Sequence, residues 1–185
     1  MSVGAESSPP ASLPVAGNAF EGLFVRALPP EPAFYADLKA VGVDVENLLP
    51  QYPLRVWREA IAVARRHFFA GQPQQQADRL LGRLLIQGFL NTLAGRSSGG
   101  VVLPLVGPAG MVEYIQRGFA MSRPDMHVIV QVVGETERRL LFNDAEPLPD
   151  FAAGMVEVAL ERARVLAEVT VEDRQAMSYV LRLRW

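Results

Sequence analysis

His67 and His127 are the only imidazoles in this 185-residue chain, and it has no cysteine, so any metal or acid/base chemistry must begin from one of these two rings. His67 falls near the end of a helix that opens at Pro53, beside an apolar stripe where the ring packs its carbon edge and keeps a nitrogen wet. His127 alternates onto the strand face shared with Ile129 and Gln131. Neither has companions at ligand spacing, and no metal or cofactor is expected. An activated nucleophile needs a base and an orienting group. The chain has no G-x-S-x-G, no H-E-x-x-H and no glycine loop ending in Lys-Ser or Lys-Thr. Residues 95–100 (GRSSGG) are glycine-rich without the lysine or a preceding strand, and read as a turn. Glu135 and Glu137 straddle a hairpin tip as solvated turn residues. No catalytic residue is expected, and the chain is not expected to be an enzyme.

Arg55, Arg58, Arg65 and Arg66 give the Pro53 helix a basic outer surface with only Glu59 against it, a candidate interaction surface whose alternative is a solvated face. Asn143, Asp144 and Glu146 form a polar cluster where a strand hands over to a helix, a ligand rim or plain turn chemistry. Over the whole chain 18 basic and 20 acidic residues nearly cancel, which disfavours nucleic acid as a partner. Lys39 is the sole lysine, a codon-composition mark of a GC-rich bacterial genome before it is one of phosphate recognition. No window approaches the roughly 18 uncharged apolar residues of a membrane span, no secretory leader is recognisable, and a cytoplasmic home is expected.

These residues must be positioned by elements that the hydrophobic periods define. Ala167, Val169 and Val171 alternate with Glu168, Thr170 and Glu172, and Met177 to Trp185 alternate likewise. Both are the period-2 pattern of a half-buried antiparallel sheet. Parity requires an odd number of residues in the loop joining them, if Val169, Val171, Met177 and Tyr179 are to share a face. Residues 126–133 and 138–143 predict another hairpin, and Asp150 is expected to cap a helix over 151–164. Leu54, Trp57, Ile61, Ala64 and Phe68 draw the stripe of the Pro53 helix. A second helix over 74–93 contains Gly82 and Gly88, each costing about 1 kcal/mol relative to Ala, so close approach of another backbone is expected there. A third runs over 109–121 with Met111, Val112, Ile115 and Phe119 inward. The segment 20–28 (FEGLFVRAL), closed by Pro29 and Pro30, reads as an edge strand. Residues 31–41 read as a short helix, and residues 1–18 as a mobile tail. The expectation is one α+β domain over 19–185, with amino-terminal helices packed on one face of a mainly antiparallel sheet.

The succession FEGLFVRAL, LLPQYPLRVW, LLGRLLIQGFLNTLAGR, VGPAGMVEYIQRGF, FNDAEPLPDFAAGMVEVAL and YVLRLRW resembles an uncharacterised protein family expanded in myxobacteria. A looser likeness, in element order, is to haem-nitric-oxide and vinyl-reductase-type domains, where helices pack on a carboxy-terminal antiparallel sheet around a ligand pocket. That likeness implies an axial His and a Tyr-x-Ser-x-Arg motif, which residues 114–117 (YIQR) do not supply. It also implies an apolar pocket near Phe89, Tyr114, Phe119 and Trp185. The expected function is a noncatalytic interaction or regulatory module, working through a protein partner or self-association. The alternative is a sensor binding a small apolar ligand between helices and sheet.

Overall fold

Phe20, Leu23 and Phe24 follow one another at steps of three and one and are fully buried, which is helical rather than strand burial. The computed structural model, which describes residues 14–93, 95, 97, 107–123, 125–144 and 147–185, accordingly places a helix there. Helix α1 (Gly17–Phe20) runs directly into a π-helical segment (Glu21–Ala27), in which Leu28 N–H donates to the Leu23 carbonyl at 3.1 Å. The expected edge strand is thus corrected. A nine-residue apolar run bounded by prolines fits a buried helix as well as a strand, and three-dimensional packing decided for the helix. The expected tail boundary moves as well. Residues 14–16 form strand β1 (Pro14–Ala16), antiparallel to β2 (Gln51–Pro53), with Val15 opposite Tyr52. Residues 1–13, the turn residues 98–100, the apolar stretch 101–106 and Glu146 lie outside the described residues.

Helix α2 (Pro32–Ala40) ends before Gly42, whose φ of +95° suits glycine. Pro53 stands at the start of α3 (Leu54–Phe68), and α4 (Gln74–Phe89) follows. Their apolar stripes meet the π-helical segment around an aromatic cluster, in which the Phe20 ring lies 4.1 Å from Tyr52 and 5.0 Å from Trp57. Helix α5 (Gly107–Ser122), the hairpin β3 (His127–Gly134) and β4 (Glu137–Asn143), helix α6 (Pro149–Arg162), and the strands β5 (Glu168–Glu172) and β6 (Ser178–Arg184) complete the chain. The four long strands form one antiparallel sheet in the order β3-β4-β6-β5. Val169 pairs with Leu183 and Val171 with Leu181, leaving residues 173–177 as the odd-length loop that parity demands.

Helices cover one face of this sheet. Those in direct contact are α5 and α6, which bury Met111, Val112, Ile115, Val156 and Leu160 against Leu140, Phe142, Tyr179 and Leu181. Gln116 Nε2 fastens α5 by donating to the Val128 carbonyl of β3 at 2.7 Å. Helix α6 serves both cores, since Phe151 turns to the helical cluster and meets Trp57 edge-on at 5.9 Å. Asp150 does not cap α6. Its carboxylate instead takes both guanidinium nitrogens of Arg174, at 2.6 and 2.8 Å, a pairing 24 residues apart that local pattern does not encode.

Gly82 and Gly88 have the expected reason. A methyl at Gly82 would overlap the Phe151 carbonyl of α6, and one at Gly88 would overlap the Gly22 carbonyl of the π-helical segment. Gly154 answers from α6, where an added Cβ would strike the Arg79 carbonyl of α4. Beside this backbone contact Arg79 binds Glu157 and the Val169 carbonyl, while Arg83 binds Glu157 and Glu161, each at 2.9 Å. An ion-pair ladder therefore flanks the glycine seam between α4 and α6.

Asp78, 5% exposed, sits between α3 and α4 with both carboxylate oxygens 3.2 Å from Arg65 Nη1. Burial pushes this carboxyl above its ordinary value of 3.8, against the pull of Arg65. The folded protein therefore binds more protons than the unfolded chain between that value and the raised one, so this group's contribution to stability falls as pH rises through the window. Asp78→Asn fixes the group in an uncharged form and removes this pH dependence, so the stability difference between variant and wild type is expected to move in the variant's favour as pH rises from 3.8 toward 7 in urea titrations. A difference that moves the other way would refute this assignment.

Candidate functional site

Three helices each turn part of an apolar face toward a shared gap. On α4 that face is Leu85, Ile86, Phe89 and Leu90; on α5 it is Tyr114, Ile115, Gly118, Phe119, Met121 and Ser122; on α6 it is Met155, Val156 and Ala159. These recur at i, i+1, i+4, one side of each helix. The glycine seam draws α6 and the π-helical segment tightly onto α4, whereas α5 packs on α6 and β3 and stands off α4. The gap left is a cavity of about 380 Å³, whose lining also takes in Ala16, Asn18 and Ala19. Gly118 faces open space, since a Cβ there would meet nothing within 4 Å.

Polarity in this cavity is sorted by depth. Leu85, Ile115, Phe119 and Val156 are buried, whereas the lining's polar side chains, Asn18, Tyr114 and Ser122, are exposed. Met121, 84% exposed, stands with them at the mouth. No charged side chain lines the cavity among the described residues. The nearest cations on or after α5 are engaged elsewhere: Arg117 Nε donates to the Glu113 carbonyl, and Arg123 binds Asp125 and Asp144. Such a site binds and orients an apolar body. Its hydroxyls, on Tyr114 and Ser122, have no imidazole, carboxylate, thiol or amine beside them among the described lining residues to activate them.

Of the four residues expected to share a pocket, Phe89, Tyr114 and Phe119 come together in this cavity. Trp185 does not. It follows β6 at the rim of the sheet core, beneath the Arg138 guanidinium at 5.3 Å. The cavity accordingly lies within the helical layer, with the sheet behind α5 and α6. Sequence reading missed Leu85, Ile86, Gly118, Met155 and Ala159. For Gly118 alone a signal was available: α5 is apolar on more than the single stripe that a sheet-covering helix needs, with this glycine amid the excess.

The other candidates disperse. Arg55, 76% exposed, pairs with Glu59 on the surface and Arg66 is exposed, whereas Arg58 donates to the Pro147 carbonyl and Arg65 is held by Asp78. The helix face that looks cationic in one dimension is thus split between two outward arginines and two tied to neighbouring elements. His67 Nε2 lies 2.9 Å from Asp37 Oδ2 with its ring 5.5 Å from Phe34, a packed and satisfied imidazole. His127 is exposed at the start of β3 opposite Asn143. Among the described residues no group of three His, Asp or Glu is placed to hold a metal ion, and no helix is long and apolar enough to cross a membrane. Glu137 bridges Arg182 and Arg184 on the outer sheet face, and Asp144 binds Arg123.

A family model described as "Protein of unknown function (DUF2378)" matches residues 14–185. No curated protein matches the chain. Among solved structures, one described as "Modulating Heme Redox Potential Through Protein-Induced Porphyrin Distortion" is 14% identical, with a TM-score of 0.68 over 91% of this chain and 97% of that one. A second, "Probing the function of heme distortion in the H-NOX family", is 14% identical with a TM-score of 0.64, covering 91% and 94%. A third, an oxygen-binding H-NOX domain related to soluble guanylate cyclases, is 16% identical with a TM-score of 0.62, covering 91% of each. The α+β fold is therefore H-NOX-like. This likeness corrects the expectation of a noncatalytic interaction module and backs its alternative, a domain that binds a small ligand.

Proposed function

The chain belongs to the DUF2378 family and has an H-NOX-like fold, and from that premise we propose that it is a single sensory domain whose cavity among α1, α4, α5 and α6 receives a small apolar ligand. The observation that carries this reading is the 380 Å³ cavity with a buried apolar floor and polar groups confined to its mouth. Its size lies within the roughly 300–1,000 Å³ of ordinary ligand sites. The domain reports occupancy rather than transforming its ligand, because among the described residues no imidazole, carboxylate, thiol or amine lines the cavity to activate the Tyr114 and Ser122 hydroxyls.

Haem, named for the similar solved structures, does not suit these residues. Proteins ligate haem iron through His, Cys, Tyr or a Met/His pair. Both histidines of this chain lie outside the cavity, and cysteine is absent. The lining's one residue of a ligating type is Tyr114, whose phenol stands exposed at the mouth rather than over the buried floor; beside it are two thioethers, with no described cation to receive the two haem carboxylates.

The test uses N-phenyl-1-naphthylamine, an uncharged probe that fluoresces on leaving water. Wild type is expected to give saturable binding. Gly118→Leu places a side chain in open space, so it is expected to keep or raise stability by about 1 kcal/mol through helix propensity while weakening the probe at least about tenfold by filling the cavity. Unsaturable binding by wild type, or a folded Gly118→Leu that binds as well, would reject the site.

A further inference from the structure

Resting on that reading of the cavity, we infer that its ligand is an uncharged amphiphile: an apolar chain or ring system in the floor, ending in one hydroxyl or carbonyl at the Asn18–Ser122 mouth. Three observations converge on this class. The floor is built from Leu85, Phe89, Ile115, Phe119 and Val156, which provide dispersion contacts and no hydrogen bond. The lining's polar groups are neutral and exposed, able to meet a hydroxyl or carbonyl that stays near water. Ser122 Oγ donates to the Phe119 carbonyl at 3.2 Å, which leaves its lone pairs to accept from a ligand hydroxyl.

Charge is what the site cannot compensate. A carboxylate or phosphate drawn into the mouth would lose hydration and find no counter-ion among the described lining residues, a penalty several times that of desolvating a hydroxyl. Of the described cations nearest in sequence, Arg123 is held by Asp125 Oδ2 at 2.7 Å and Asp144 Oδ1 at 3.0 Å and Arg26 by Glu21 at 2.8 Å, while Arg117 is exposed outside the lining with its Nε toward the Glu113 carbonyl. A wholly apolar cavity of about 150 Å³ holds one benzene ring. By that measure 380 Å³ accommodates two fused rings or a medium-length alkyl chain. Specificity against anions then arises from the missing counter-charge rather than from shape.

The closing experiment compares 1-decanol, decanoate and haemin on the full chain at pH 8, by displacement of N-phenyl-1-naphthylamine and by calorimetry. Decanol is expected to displace the probe, and decanoate of the same length to bind at least about tenfold more weakly. The double variant Asn18→Ala/Ser122→Ala is expected to weaken decanol by about fivefold, one hydrogen bond's worth, while leaving decane unchanged. Decanoate binding as tightly as decanol, or haemin giving a saturable one-to-one complex with a sharp Soret band, would overturn the uncharged class and leave the cavity standing as a site. Failure of wild type to take up either the probe or decanol would instead remove the site itself, and the inference with it.

Discussion

Gly82→Ala is expected to destabilise the protein by about 3 kcal/mol, at or beyond the upper end of ordinary overpacking, although the same change in an open helix stabilises by about 1 kcal/mol. The sign reverses because the new methyl meets backbone. It would lie 2.8 Å from the Phe151 carbonyl carbon and closer still to the oxygen, and neither can swing aside as a side-chain tip would. Gly154→Ala meets α4 from the other side, 2.9 Å from the Arg79 carbonyl carbon and 3.0 Å from the Arg83 nitrogen, and a loss of similar size is expected. Either methyl forces α4 and α6 apart. That stretches the Arg79–Glu157 and Arg83–Glu157 pairs along the seam and weakens both cores, because α6 belongs to both. Gly118→Ala, facing open space on α5, is the control and is expected to stabilise. Urea unfolding of the three variants decides the matter: a Gly82→Ala protein as stable as wild type would mean that the helices are not in backbone contact.

Arg123→Met carries the second large effect, a loss of about 3–5 kcal/mol at neutral pH, the range for removing one partner of a buried ion pair. The Arg123 side chain is 15% exposed and serves two carboxylates, Asp125 at 14% and Asp144 at 5%. It fixes the end of α5 to the end of β4. Hydrogen bonding from Arg123 holds the Asp125 carboxyl below its ordinary 3.8. That contribution is present above 3.8 and fades as pH falls through the lowered folded value. In the variant both carboxylates are left without this cation, and protonation relieves the cost. The gap between wild type and variant should therefore be widest near neutrality and narrow on acidification. Adding Asp144→Asn to Arg123→Met should restore part of the loss. A gap below about 1 kcal/mol, outside the buried-pair range, or one that widens as pH falls, would show that the cluster is solvated rather than structural.

How far these sites were visible in the amino-acid order differs by feature. The seam was half legible: interior glycines at 82 and 88 announced a close approach, since nothing local favours them in a helix. Their partners at Phe151 and Gly22 were not legible, nor was Gly154 marked out. Asp150 looked like a cap because Asp before an apolar helix commonly is one. Arg174 took that carboxylate instead, brought near by the five-residue loop before β6. The arginines of α3 illustrate the same limit, for charge on a helix face reads as free until the neighbouring helix supplies Asp78 or a loop supplies the Pro147 carbonyl.

The order of residues alone determined the antiparallel carboxy-terminal sheet, the parity of its last loop, the stripes of α3 and α5, and the want of cysteine and of paired histidines. Periods of 2 and 3.6 are properties of the local backbone, and composition needs no fold to be read. Tertiary structure alone decided that residues 21–27 coil into a π-helix, that Trp185 stays away from Phe89, Tyr114 and Phe119, and that α5 stands off α4 far enough to leave a cavity. A period specifies which face of an element is buried; it carries no information about the separation of two buried faces, which here is set by glycines and ion pairs more than 60 residues apart along the chain.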